Sequence, residues 1–280
     1  MQRTNTYTSH LLQNLRRFLA ISFLLILLVP LACAPLVSFT PLSPPEVTPP
    51  VYGEVYKPFQ QGPHPAIILV HDSKGPNAPY IHSIGEKLTK EGYVVLAMNY
   101  HAENKPSKVF TRGLDLWRSW QEMVRNGVKY LNSDQSVQEN KIGVIGFSEG
   151  ATLAVSVASS IPGIMAVVDY YGPNPDEDKM VYTYGAGKVD TLYYSKEPFS
   201  TMPPVQIHHG SADPDTPVRV SKDLYKTLKD KGRTVEIHIY KGIGKHFFDP
   251  RYRALYSPEA AKESWKHTLA FLDKYVRTNK

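Results

Sequence analysis

A series of apolar runs with almost no polar alternation narrows the fold of this chain more than any other feature. "PAIILVHD" (65–72), "YVVLAMNY" (93–100), "KIGVIGF" (141–147) and "IMAVVDYYG" (164–172) are nearly continuous in apolar residues, and "PVQIHHG" (204–210) and "TVEIHIY" (234–240) follow. A strand with one wet face alternates polar and apolar side chains; a strand covered on both faces has no reason to. Between the runs lie segments with helical spacing. Residues 81–92 place Ile81, Ile84 and Leu88 on one side and stop at Gly92. Residues 111–131 do the same with Leu114, Trp117, Val124, Val128 and Leu131. Further helices are predicted at 149–160 and 217–231, and from Pro258 to about Val276, where Ser257 is an N-cap followed by proline at the first helical position. Strands alternating with helices predict an α/β class, a mostly parallel sheet with helices on both faces. Right-handed crossovers then bring the C-terminal ends of the strands to one rim, where such folds bind ligands.

The rim residues are therefore the ones to search. At 146–150 the run "KIGVIGF" ends in Gly146-Phe147-Ser148-Glu149-Gly150, with a small-residue helix after it. A hydroxyl is a weak nucleophile until a base takes its proton. A sharp strand-to-helix turn exposes its oxygen and aims backbone N–H groups at the reacting carbonyl, and glycines permit the crowding. The alternative for Ser148 is a plain helix N-cap. The base in this arrangement follows the last strand, which selects His246 in "KGIGKHFFDP"; the alternative there is an exposed loop histidine. The acid precedes it, which selects Asp213 in "HHGSADPDTPV", with Asp169 as runner-up and Asp215 as a helix-capping neighbour. The oxyanion donors expected are the backbone N–H groups of Glu149 and Ser73. Asp72 is either a solvated loop carboxylate or a group orienting the nucleophile, and His71 and Arg251 are candidate substrate contacts.

These motifs, "ILVHDSKGPN", "GFSEGA", "HHGSADPDTPV" and "KGIGKHFFDP", resemble those of the dienelactone hydrolase family and span nearly all of residues 51–280. The resemblance implies an α/β-hydrolase fold, no cofactor, and hydrolysis of a small-molecule ester or lactone through an acyl-enzyme. It places the nucleophile at Ser148, the acid at Asp213, the base at His246 and the oxyanion donors at Ser73 and Glu149. The founding members carry cysteine where this chain has Ser148, which points toward general ester chemistry, and the family has glutamate where this chain has Asp72. The Tyr-rich stretch 174–200 is longer than in compact members and reads as a lid or pocket wall, or as a plain surface excursion.

Two other functional classes compete. A non-catalytic ligand-binding surface protein on the same fold is expected to have lost a triad residue, and none is lost. A prolyl-type peptidase usually needs an additional gating domain, for which there is no room. A metal site from His208, His209, Asp213 and His246 is disfavoured because adjacent strand residues point to opposite faces, so no metal is expected. Basic residues form no stripe, so nucleic acid is not an expected partner.

The N-terminus reads differently. Arg16-Arg17 precede an apolar stretch, Phe18 to Val29, which is short for a membrane span and is followed by Pro30, small residues and the chain's single cysteine, Cys33. This resembles a bacterial lipoprotein signal, with Cys33 as the lipidated residue. Cleavage after Ala34 and an uncleaved anchor through Val37 are the other two readings. All three export the domain, with a membrane as partner in the lipidated and anchored forms. Residues 1–33 are accordingly read as an export signal, 34–50 as a Pro-rich tether, and 51–280 as the catalytic domain.

Overall fold

A computed structural model of the chain describes residues 42, 49–102, 113–173, 179–184, 188–193 and 197–278. The expected export signal, Cys33 and most of the tether lie outside the described residues. Among the described residues no helix is long and apolar enough to cross a membrane.

Among the described residues, the six apolar runs and a short edge strand form one seven-stranded sheet. Its strands are β1 (Gly53–Tyr56), β2 (His64–Val70), β3 (Val94–Met98), β4 (Val137–Phe147), β5 (Ile164–Tyr170), β8 (Val205–Gly210) and β9 (Val235–Tyr240). Their spatial order is β1-β3-β2-β4-β5-β8-β9. Only β1, at the edge, runs antiparallel to its neighbour. Among the described residues, five α-helices cover the sheet: α1 (Pro79–Lys90), α2 (Gly113–Ser133), α3 (Glu149–Ala158), α4 (Val218–Asp230) and α5 (Pro258–Leu272).

Strand alternation divides the core into two layers. On β2, Ala66, Ile68 and Val70 pack in the layer with Trp117 and Val124 of α2, Leu153 of α3 and Leu224 of α4. Ile67 and Leu69 face the other way, into the layer with Ile81 and Leu88 of α1 and Phe271 of α5. Both faces are dry, which is why the strands show no polar alternation. The expected cap is made: Ser257 Oγ accepts the Ala260 N–H at 3.3 Å, with Pro258 opening α5.

Two features add detail to the sequence reading. The stretch 174–200 carries a two-stranded antiparallel ribbon, β6 (Lys179–Tyr184) against β7 (Lys188–Tyr193), and β7 runs near α2. The tether does not hang free along its whole length. The Leu42 N–H donates to Val51 O at 2.6 Å, and Pro49 is buried, its carbonyl accepting the Asn126 side-chain amide at 2.9 Å.

Candidate active site

β4 delivers Ser148 at its end and α3 begins immediately after it. The serine sits at φ 51°, ψ −119°, a left-handed conformation that costs a non-glycine residue about 1–3 kcal/mol. Its hydroxyl does not cap α3, which sets aside the N-cap explanation. The Ser148 N–H donates to Tyr170 O at 2.9 Å, pinning the turn to β5. The two flanking glycines are required by space. A Cβ on Gly146 would stand 2.4 Å from the Ala151 Cα, and one on Gly150 would stand 2.2 Å from His71 O. The helix start is thereby jammed against the end of β2. Glu149 opens α3, which puts its N–H at the positive end of that helix. Its carboxylate accepts the Tyr100 hydroxyl at 3.2 Å and lies 3.5 Å from His101 Nε2.

His246 follows β9 and also has positive φ, 59°. It is buried, stacked on Tyr252 at 4.4 Å between ring centroids and edge-on to Tyr171. It is therefore not the exposed loop residue of the alternative reading. Burial lowers its pKa to about 4, helped by the charges of Lys74 and Lys245. A neutral imidazole at pH 7 is the form that accepts a proton.

The acid is held differently from expectation. Asp213 Oδ1 accepts the Asp215 and Thr216 N–H groups at 2.8 and 3.0 Å. Its Oδ2 is buried with no hydrogen-bond partner, 3.6 Å from His209 Nε2. His246 Nδ1 is likewise buried and unpartnered, and its nearest carboxylate oxygen is Asp72 Oδ2 at 3.9 Å. The Asp213–His246 hydrogen bond is thus not formed here, although the two loops are joined. The Ala212 N–H donates to Ile243 O at 2.9 Å, and Gly210 lies so close to that carbonyl that a Cβ would come within 2.2 Å of it.

The remaining candidates separate by burial. Asp72 is not a solvated loop group: it is 2% exposed, with Oδ1 accepting the Lys74 N–H at 2.9 Å. Burial raises its carboxyl above the usual range, against the pull of the Lys74 N–H and charge. The expected donor Ser73 stands exposed in the same turn. His71 is fully buried beneath that turn, Nδ1 on Asp72 O at 2.6 Å and its ring stacked on Tyr100, so it is walled off from a substrate and acts as support. Arg251 does not present a free guanidinium; its Nε and Nη2 bind both oxygens of Asp249 at 2.7 and 3.0 Å. Asp169 Oδ1 accepts the Gly172 N–H, holding the turn after β5. His208 and His209 do face opposite ways, one toward Tyr240 and the other toward Ser221 of α4. Residues that the sequence reading passed over are Lys74, Lys245, Tyr171, Tyr252 and Tyr80. The Tyr80 hydroxyl accepts the Asp72 N–H at 3.1 Å. Lys74 and Lys245 sit inside the motifs but act on His246 through charge, while Tyr171, Tyr252 and Tyr80 join the site through packing and hydrogen bonding.

A profile of the dienelactone hydrolase family matches residues 51–276. The chain belongs to the dienelactone hydrolase family. As a member of it, the protein is a hydrolase of the ester and lactone class, on the α/β-hydrolase fold. A Bradyrhizobium sp protein described as "Probable 2-oxo-3-(5-oxofuran-2-ylidene)propanoate lactonase" is 27% identical over 224 residues, covering 77% of this chain and 86% of the relative. The dienelactone hydrolase of Anabaena variabilis superposes with a TM-score of 0.60 at 17% identity, covering 85% of this chain and 96% of that one. A thermophilic esterase of Thermogutta terrifontis gives 0.58 at 17% identity, covering 80% and 86%. At those identities the two structures speak for the shared fold.

Proposed function

We propose that this dienelactone hydrolase family member is a serine hydrolase that cleaves carboxylic esters or lactones through an acyl-enzyme on Ser148. The observation that carries the proposal is the left-handed Ser148 at the β4–α3 junction, its hydroxyl withheld from helix capping. His246 takes the Ser148 proton as the oxygen attacks the carbonyl carbon. The oxyanion that develops is held by the N–H groups of Glu149 and Ser73. The proton returns to the leaving alkoxide, and His246 then deprotonates water, which releases the acid and restores Ser148. Asp213 orients and stabilises the imidazolium: one of its oxygens is already held by two backbone N–H groups, which leaves the other to receive Nδ1–H. Asp72 lies 3.9 Å from the same nitrogen and positions the loop that holds Ser73.

The N-terminal segment favours an exported, membrane-anchored enzyme, through lipidated Cys33 or a retained apolar anchor.

A fluorophosphonate probe tests the chemistry. Tryptic mass spectrometry is expected to find the adduct on Ser148, with no labelling and no p-nitrophenyl acetate turnover in Ser148→Ala. Labelling elsewhere, or full turnover by a folded Ser148→Ala, would remove Ser148 from the mechanism.

A further inference from the structure

A cavity of about 420 Å³ lies between α1 and α5, and none of Ser148, Asp213 or His246 lines it. Its volume is within the usual range for small-molecule sites. The floor is the outer face of the sheet, Ile145 and Phe147 of β4 and Tyr170 of β5, all buried. Tyr80, Phe248 and Trp265 form the walls. The floor's polar atoms are already used. The Tyr170 hydroxyl pairs with Thr268 Oγ1 at 2.9 Å, and Thr268 Oγ1 lies 3.2 Å from His208 Nε2. To an occupant, the floor is therefore mainly an aromatic and aliphatic surface.

The mouth has the opposite character. Lys87, Arg251 and Lys262 stand around it, all exposed. Asp249 is the one acidic residue in the lining, and its two oxygens are bound to Arg251. Lys87 Nζ stands 5.8 Å from the Trp265 ring centroid, at the boundary between the cationic mouth and the aromatic interior. A neutral apolar molecule would use the interior and ignore the mouth. An inorganic anion would use the mouth and leave the interior dry.

We propose that this cavity is a binding site, separate from the catalytic residues, for a carboxylate with an apolar body: the ring or chain fills the interior and the carboxylate lies between Lys87 and Lys262. The argument rests on shape and charge complementarity and does not depend on the catalytic assignment of Ser148.

Isothermal titration of the purified chain with 2-naphthoate, and with neutral 2-naphthamide, tests it. One saturable site for naphthoate is expected, with the amide bound about tenfold more weakly. The charge reversal Lys87→Glu/Lys262→Glu, on exposed side chains, is expected to weaken naphthoate about tenfold. Ala261→Trp, which fills the cavity from α5, is expected to abolish saturable binding. Circular dichroism establishes that each variant is folded, and if Ala261→Trp does not fold, the charge-reversed pair decides. The proposal is overturned if naphthoate shows no saturable binding at millimolar concentration. It is equally overturned if binding survives the charge reversal unchanged, since the ligand then lies elsewhere.

Discussion

His246 Nδ1 stands 3.9 Å from Asp72 Oδ2, closer than to either oxygen of Asp213, with which it makes no contact within 4 Å. Two candidate acids, one after β2 and one after β8, are thus held by different means, and only Asp72 lies within 4 Å of the imidazole nitrogen. Asp213 is fixed through one oxygen by two N–H groups. Asp72 is buried, and burial raises its carboxyl pKa above the ordinary value, against the Lys74 N–H and charge.

The two carboxylates separate by mutation. Asp213→Asn is expected to lower kcat by about 10³–10⁴-fold with little change in KM, because the amide fixes the wrong imidazole tautomer. Asp72→Asn is expected to cost about tenfold. Steady-state kinetics on p-nitrophenyl acetate makes the comparison. The reverse ranking would transfer the orienting role to Asp72.

Gly210→Ala tests the joint between the two loops. The new methyl would meet Ile243 O at 2.2 Å, backbone against backbone, with no flexible side chain to yield. Overpacking of this kind costs about 1–3 kcal/mol. Since the displaced segment leads into His246, turnover is expected to fall by more than tenfold alongside a lowered melting temperature. A variant that melts early yet keeps full turnover would show that the joint does not position the histidine.

The acid limb of the pH profile should lie low. With His246 lowered to about 4 by burial and by the Lys74 and Lys245 charges, kcat/KM is expected to stay flat from neutrality and to fall only as the pH drops through about 4. Lys74→Gln removes a cation that disfavours the imidazolium. The His246 pKa then rises, and the acid limb moves to higher pH. Profiles of both proteins from pH 3.5 to 8 check this; an unmoved limb would show that the Lys74 charge is not felt at the imidazole.

The parallel core was legible in the sequence because its strands are dry on both sides, as "IILV" in β2 and "VVLAM" in β3 show. The edge strand β1 was not: four residues, GEVY, half-buried, carry too little pattern. The β6–β7 ribbon did leave a signal, since "KMVYTY" and "KVDTLY" flank the sequence Gly-Ala-Gly, but its neighbours made the stretch read as one irregular insert. At the site, Ser148, His246 and Asp213 were selected by their order after successive strands, a property of topology. What topology does not encode is distance. Whether an imidazole leans toward one carboxylate or another is decided by ring packing from Tyr171 and Tyr252, which no spacing in the chain reports.

Tyr80 has a consequence of its own. Its ring forms part of the wall of the α1–α5 cavity, and its hydroxyl receives the N–H of Asp72, one residue ahead of Ser73. A single phenol is thus shared between that chamber and the turn ahead of Ser73, so whatever lodges against the ring also bears on the group that holds that turn.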